Sequence, residues 1–169
     1  SDMHSAITTA IGTLKGPLHG GAAQEVMEML RKIRDLRNAE DYVKAALAKH
    51  ERVMGFGHRI YKTMDPRAEE LKRMARTLGE MKGSKRLIEI SEKIEEVMKR
   101  EKNLYPNVDF YSASVYNYLG LPLELDSPIF AIARISGWVA HVLEQYADNR
   151  LIRPVEKYTG PKSLKYIPI

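Results

Sequence analysis

Apolar residues recur three or four positions apart along almost the whole chain, and this spacing constrains the fold more than any other feature. An α-helix completes one turn in 3.6 residues, so side chains spaced in this way share one face. No two segments alternate between apolar and polar residues as paired strands would, and the chain has no repeat or low-complexity tract. The sequence therefore predicts an all-α fold.

Short polar residues stand where the periodic segments begin, and such residues cap helices by accepting free backbone N–H groups. The second helix should extend to Leu36 and the third to about Glu51, while Gly79 and Gly83 should bracket a break. A tail rich in proline is predicted to be extended and to lie on another surface. We expect helices to begin at or just after Asp2, His19, Asn38, Asp65, Ser84, Asp109 and Ile129, the last ending near Ala147.

The lack of cysteine excludes disulfides, thiolate metal sites and a cysteine nucleophile, and it fits a reducing cytoplasm. No apolar run approaches the roughly 20 residues that a membrane span needs. The segment from Ser1 to His4 has no basic stretch followed by an apolar one, as a secretory signal would. We therefore predict a cytoplasmic protein that is not a membrane protein.

The formal net charge of +5 and the pI of about 9.3 leave two interpretations open. A basic chain suits polyanionic ligands, such as nucleic acid, a phosphorylated coenzyme or a polycarboxylate. It also fits a solvated surface on which lysine slightly outnumbers glutamate. Charge alone does not distinguish between them.

The segment Lys15–Gly21 places a histidine between glycines where a loop meets a helix. Glycine lets the backbone approach a ligand closely, and a helix N-terminus offers N–H donors and positive potential to an anion or a developing oxyanion. His19 would then stay neutral and donate one hydrogen bond. The alternative is that it only caps or packs against the helix.

A second candidate segment runs from Gly55 to Lys62 and on to Arg67. Its two glycines expose backbone N–H and C=O groups to a ligand. A pair of glycines alone is weak evidence, whereas the whole string is much more specific. Together with its basic residues the segment predicts an anion site, surrounded by His58, Arg59, Lys62 and Arg67.

Asp109 and two arginines complete the candidate residues. Asp109 is either the N-cap of a helix or, beside a ligand, a general base. Arg134 lies in a strongly apolar helix, where a charge is costly to bury unless it is paired or bound to a ligand. Arginine's planar fork matches a carboxylate with two hydrogen bonds. Arg153 lies in the tail and on its own suggests only a surface charge.

These segments, in this order and at these separations, resemble the citrate synthase family, especially its short-chain archaeal and bacterial members. The resemblance covers essentially the whole chain and corresponds to the carboxy-terminal part of the family. The strings that carry it are GPLHGG, GFGHRIYK followed by DPRA, NVDFYS, and ARISGWVAHVLEQ followed by RP.

The resemblance implies an acyltransferase of the tricarboxylic acid cycle that condenses acetyl-CoA with oxaloacetate to give citrate and CoA. His19 would donate a hydrogen bond to the thioester oxygen of acetyl-CoA, while Asp109 takes the methyl proton. His58 would bind the carbonyl oxygen of oxaloacetate and protonate it as the carbon–carbon bond forms. Water would then cleave citryl-CoA.

The resemblance also implies binding residues. Arg67 and Arg134 would clamp the oxaloacetate carboxylates, Phe130 would line the same site, and Arg153 would reach the site of a partner subunit in a homodimer. Coenzyme A is implied as a co-substrate, with no permanently bound cofactor and no metal. Its predicted binding residues are Val53, Met54, Gly55, Phe56, Gly57, Lys62, Lys102 and Asn107.

In this family a small helical domain closes over a larger one. The resemblance assigns residues 21–117 to the small, CoA-binding domain. Residues 1–20 and 118–169 would be the remnant of the large domain, and we expect them to expose apolar faces. The chain is predicted to be a fragment, weakly active or inactive alone. Asp126 stands where an aromatic or aliphatic residue is expected, and we interpret it as a helix cap.

Two other functions stay open. A 2-methylcitrate synthase, which uses propionyl-CoA, needs the same acid, base and arginines. A basic helical module that binds nucleic acid or serves as a scaffold would also fit the net charge, although no groove-reading motif supports it.

Overall fold

The computed structural model describes residues 1–16 and 20–167, and within these residues all regular structure is helical. The single exception is an isolated antiparallel bridge between Phe56 and Pro106. The predicted all-α fold is confirmed. Two short 3₁₀ turns, Leu36–Asn38 and Leu123–Leu125, accompany the helices, which are α1 Met3–Leu14, α2 Ala22–Ile33, α3 Ala39–Ala48, α4 Pro66–Met81, α5 Arg86–Lys102, α6 Val108–Leu119 and α7 Asp126–Ala147.

Two of the predicted caps are confirmed by side-chain hydrogen bonds. Asp2 accepts from the Ser5 N–H at the start of α1. Asp65 accepts from the Arg67 N–H at the start of α4, where Pro66 takes the first helical position and loses no hydrogen bond.

Helices α2 and α3 are both shorter than predicted. Helix α2 ends at Ile33, because Arg34 takes a positive φ of 61° and Asp35 caps the following 3₁₀ turn. Leu36 is exposed there instead of extending the buried face. Helix α3 ends at Ala48 rather than near Glu51, and the Asn38 side chain donates to the Ile33 carbonyl instead of capping α3.

Ser84 does not cap α5, so that prediction is wrong. Its N–H donates to the Gly79 carbonyl, and Gly83 has a φ of +63°, so both residues belong to the termination of α4. Gly79 itself lies inside α4, where a Cβ would come within 3.3 Å of the Tyr118 ring. The two glycines therefore do not bracket a break.

Helix α7 begins at Asp126, three residues before the predicted Ile129. The 3₁₀ turn leads directly into it, and Pro128 lies in the first turn, where a missing N–H is tolerated. Asp126 does not cap the helix, because the N-cap position is Leu125 and no side chain accepts a hydrogen bond there. The interpretation of Asp126 as a cap is therefore wrong.

Helices α2 to α6 form a bundle around one hydrophobic core, in which α2 and α4 pack on α6 and α3 packs on α5. Helix α1 packs on α7, and this pair is far less buried. In α1 the buried residue is Leu14 and in α7 it is Asp126. The division into segments 1–20, 21–117 and 118–169 stays a prediction.

The described part of the tail, from residue 148 to residue 167, has no regular secondary structure. Its apolar side chains, among them Leu151 and Val155, are exposed, so the tail does not lie on a surface of this chain. None of the helices in the described residues has both the length and the apolarity needed to cross a membrane.

Candidate active site

A cavity of about 560 Å³ opens between the loop that follows α3 and the start of α6. Most of the residues predicted for the catalytic and CoA sites line this cavity, although they come from separate parts of the sequence. Those that line it are Val53, Met54, Gly55, Phe56, Gly57, His58, Lys102, Asn107 and Asp109.

A hydrogen-bonded clip, made by residues 55–57 and 105–107, joins the two sides of this cavity. The Gly57 N–H donates to the Tyr105 carbonyl at 3.0 Å, and the Asn107 N–H donates to the Gly55 carbonyl at 2.9 Å. The Asn107 side-chain amide adds a bond of 3.1 Å to the Gly57 carbonyl. The loop that lines the cavity is therefore fixed to the helix that carries Asp109.

Gly55 is required by this arrangement. Its φ is +82°, and a Cβ at this position would lie 2.8 Å from the Phe110 Cβ. We expected this glycine to expose its backbone groups to a ligand, whereas it packs against the chain's own Phe110 and its carbonyl accepts from the Asn107 N–H. Gly57 differs, because it also has a φ of +82° but a Cβ there would meet nothing within 4 Å. The space on the side where a side chain would stand is therefore open, although the N–H and C=O of Gly57 are both bonded in the clip.

The N-cap of α6 is Asn107, whose side-chain oxygen accepts from the Asp109 N–H at 3.0 Å. The interpretation of Asp109 as the cap is therefore wrong. Asp109 lies in the first turn of α6, is half-buried and lines the cavity. It is also close to Arg67, whose pKa is raised mainly by hydrogen bonds to Asp65 and further by the charge of Asp109.

The His58 ring is held in one tautomer by the backbone. Its Nδ1 accepts from the N–H groups of Ile60 and Tyr61, both at 3.0 Å. In the neutral ring the proton must then be on Nε2. The Tyr61 ring lies beside it, with centroids 4.6 Å apart. His58 is therefore oriented as a hydrogen-bond donor through Nε2.

Arg67 lies next to this donor. Its Nη2 is 3.5 Å from His58 Nε2, and its guanidinium is bound on one side by the buried Asp65. Burial acts to raise the pKa of Asp65, yet the hydrogen bonds from Arg67 hold it below its ordinary value. Sequence analysis predicted Asp65 only as a cap and missed its ion pair with Arg67, for which the spacing of two residues was the available signal.

Arg59 also lines this cavity, whereas Lys62, Arg134 and Arg153 do not. Arg134 lies on α7 with its guanidinium 5.3 Å from the centre of the Phe130 ring, and it is exposed, so the argument from a buried charge was wrong. Arg153 is exposed in the tail and Lys62 is exposed in the loop before α4. His19 lies outside the described residues.

A half-buried polar cluster that the sequence did not reveal lies on the other side of α6. The hydroxyl of the fully buried Tyr111 donates to Glu95, and Lys72 Nζ is 2.7 Å from the same carboxylate oxygen. Burial, followed by the bond to Glu95, raises the pKa of Tyr111 far above its ordinary value. The cluster fixes α6 against α4 and α5, next to Phe110 and Asp109.

Asp126 is buried where α7 meets the bundle, and among the described residues its Oδ2 has no hydrogen-bond partner. Burial raises its pKa to about 6, with a further contribution from Glu124 and an opposing one from Arg31. The neighbouring Ser127 hydroxyl donates to the Gly20 carbonyl at 2.5 Å. The start of α7 is thus bonded to the segment that precedes α2.

Within the described residues there is no group of three or more histidine, aspartate or glutamate side chains able to hold a metal ion. The chemistry that this arrangement offers is that of a carboxylate, a neutral imidazole donor and a guanidinium around one cavity. It suits proton transfer and the binding of an anionic carbonyl compound.

Comparison with known proteins identifies the family. Residues 1–155 match the family described as citrate synthase, C-terminal domain. The whole chain is 56% identical to citrate synthase 2 of Bacillus subtilis and 44% identical to the 2-methylcitrate synthase of Shewanella oneidensis, covering 45% of each relative. The chain spans about 45% of the length of these curated relatives.

A solved structure agrees with this assignment. The ternary complex of citrate synthase from Thermoplasma acidophilum with carboxymethyl coenzyme A and oxaloacetate superimposes with a TM-score of 0.92 and 41% identity, over 100% of this chain and 46% of that one. The motifs, the helical fold and these matches lead to one conclusion: the chain belongs to the citrate synthase family.

Proposed function

We propose that this chain supplies the catalytic base and part of the oxaloacetate site for the condensation of acetyl-CoA with oxaloacetate to citrate and CoA. The observation that carries the proposal is the grouping of three side chains at one cavity. His58 and Asp109 line it, and Arg67 lies 3.5 Å from the His58 ring. A base for a carbon acid and two donors for a carbonyl compound are the groups that this reaction needs.

In the proposed reaction, Asp109 removes a methyl proton from acetyl-CoA while His19 donates a hydrogen bond to the thioester oxygen. The carbon of the resulting enolate, whose oxygen accepts the hydrogen bond from His19, attacks the carbonyl carbon of oxaloacetate. The carbonyl oxygen becomes an alkoxide and takes the proton that His58 holds on Nε2. Water then cleaves the thioester of citryl-CoA, which releases citrate and CoA.

Coenzyme A would occupy the cavity along the loop of residues 53–57. The open space beside Gly57 and the cationic Lys102, which lines the cavity, support this assignment, because CoA is bulky and carries phosphates. Two further residues, Lys62 and Asn107, are proposed near the phosphates and the pantetheine arm. Asn107 already bonds the Gly57 carbonyl, so its role would be to hold the loop.

Residues of α7 and the tail would complete the oxaloacetate site. Arg134 and Phe130 are proposed to reach the same ligand, and Arg153 the site of the second subunit in a homodimer. The exposed apolar side chains of the tail support a role outside this chain. Sedimentation of the purified chain would test the homodimer, and a monomer at every concentration would contradict it.

The first test is CoA-thiol release by the purified chain with oxaloacetate and acetyl-CoA. The sequence has no cysteine, so a thiol reagent has no background from the protein. Asp109→Asn should lower turnover 100-fold or more, whereas Asp41→Asn, an exposed residue of α3, should not change it.

Turnover that is lost in Asp109→Asn but kept in Asp41→Asn would support the proposal. A helical chain that neither turns over nor binds oxaloacetate or CoA in calorimetry would contradict it. The same assay tests the prediction that the chain alone is weakly active or inactive.

The second candidate is a 2-methylcitrate synthase, because a relative with that name is 44% identical over the whole chain. The two functions differ in the acyl group, so the assay is repeated with propionyl-CoA. A higher kcat/KM for propionyl-CoA would favour this candidate. Nothing in the described residues favours a nucleic-acid-binding or scaffolding module.

A further inference from the structure

We propose that Asp65 is a positioning residue of the candidate active site: it binds one edge of the Arg67 guanidinium and leaves only the outer edge, beside His58, for a substrate. The inference rests on the proposed function, because it deepens the assignment of Arg67 and His58 to the oxaloacetate site. It adds a residue that contacts no substrate.

The contacts of Asp65 occupy one specific edge of the guanidinium. Its Oδ1 accepts from Arg67 Nε at 3.0 Å and its Oδ2 accepts from Nη2 at 2.8 Å. The same Oδ1 also accepts from the Arg67 backbone N–H at 3.0 Å. Since the Asp65 side chain is only 1% exposed, water does not compete for these bonds. The Arg67 side chain is thus held at its backbone and at its tip by one carboxylate.

The N–H groups that Asp65 leaves available are two on Nη1 and one on Nη2. The Nη2 atom is 3.5 Å from His58 Nε2, which carries the ring proton because Nδ1 accepts from the backbone. Two donors cannot bond each other, but they can bind two neighbouring oxygens of one ligand. A carboxylate oxygen next to a carbonyl oxygen, as in a 2-oxo acid, matches this pair of donors.

The chain contains a second copy of the same local motif, which serves as a control. Asp35 accepts from the Arg37 backbone N–H, Nε and Nη2 at 2.9, 3.0 and 3.0 Å. That pair is on the surface, with the Asp35 side chain 43% exposed, and within the part of the chain that the structure describes no histidine is hydrogen-bonded to it. The motif by itself therefore only starts a helical turn, and the burial of Asp65 next to His58 is what adds a role in binding.

The experiment compares Asp65→Asn with Asp35→Asn in the full chain. Asparagine still accepts from the backbone N–H and caps the helix, but it cannot hold the guanidinium with two charged oxygens. We expect Asp65→Asn to weaken oxaloacetate binding tenfold or more while CoA binding changes less than twofold. Asp35→Asn should leave both affinities unchanged.

Nitrogen-15 NMR provides a readout that does not depend on binding. In Asp65→Asn the Arg67 Nε–H signal should shift and exchange faster with water, and the His58 ring signals should shift with it. Unchanged Arg67 and His58 signals would overturn the inference, and so would an equal loss of affinity for oxaloacetate and CoA. If the parent chain binds no oxaloacetate, the proposed function fails, and the NMR comparison still decides whether Asp65 positions Arg67.

Discussion

The bundle of α2 to α6 and the pair of α1 and α7 differ in how much of their structure is buried. The bundle encloses the hydrophobic core and the candidate cavity, whereas the pair contributes only one buried residue from each helix. The predicted site residues divide in the same way. His58, Arg67 and Asp109 belong to the bundle, while Arg134 lies on the exposed α7.

This difference shows which part of the site the chain organises by itself. In the bundle, hydrogen bonds hold the His58 and Arg67 side chains before any ligand arrives. On α7, Arg134 has the Phe130 ring as its neighbour and solvent on its other side. A preorganised part of a site needs no reordering on binding, and the other part does.

The largest effect is expected from a core substitution, which should destabilise the bundle far more than a matched substitution destabilises the pair of α1 and α7. Ile94→Ala in α5 removes a side chain that is 0% exposed, and we expect a loss of about 3 to 5 kcal/mol in the free energy of unfolding. The control Ile132→Ala in α7, where the residue is 74% exposed, should change it by less than about 0.5 kcal/mol. Urea unfolding measures both, and equal losses would contradict the comparison.

A smaller effect is expected from glycine substitutions, one in each region. Gly55→Ala would bring a Cβ onto Phe110 and force alanine into a positive φ. We expect a loss of about 3 kcal/mol in the free energy of unfolding and weaker CoA binding. Gly12→Ala in α1 meets nothing within 4 Å and should stabilise by about 0.5 to 1 kcal/mol. Thermal unfolding and CoA titration test this, and a neutral Gly55→Ala would show that the clip can open without loss.

The smallest of these effects concerns Asp126, where the two regions meet. Its pKa is raised by burial to about 6 in the folded chain, so the fold favours the protonated carboxyl. Stability should therefore fall as the pH rises from about 4 through 6, as the folded protein must lose that proton. Asp126→Asn should remove this dependence, with a gain of about 2 kcal/mol at pH 7.5 and little change at pH 4.

Urea unfolding of both proteins between pH 4 and 7.5 provides the measurement. Asp41→Asn is the control, because Asp41 is exposed and its replacement should not change how the free energy of unfolding varies with pH. If the free energy of unfolding rose between pH 4 and 6 by the same amount in the wild type and in Asp126→Asn, ionising the buried carboxyl would cost no stability.

The sequence predicted the elements whose signal is local. Helical periodicity gave the fold class, and Asp2 and Asp65 marked two helix starts correctly, because a cap depends only on residues that follow within one turn. The interpretation of Asp109 as a cap was wrong, because Asn107 caps α6 two residues earlier. Both residue types cap helices equally well, and only the backbone conformation decides which one does.

What depends on distant residues could not be predicted. The Glu95 carboxylate meets Lys72 across 23 positions of sequence and Tyr111 across 16. No periodic pattern links such residues, since their contact depends on how three helices pack. The exposure of Arg134 is likewise a property of the surroundings of α7, which the apolar composition of that helix does not reveal.

The clip between residues 55–57 and 105–107 also limits how this site could change during evolution. A larger residue at position 55 would require the two segments to move apart, since its Cβ would lie 2.9 Å from the Phe110 Cα as well as 2.8 Å from the Phe110 Cβ. A proline at position 57 would lose the bond to Tyr105. The two segments should therefore vary together among related proteins, and an engineer who transplants the loop would have to move both as one cassette.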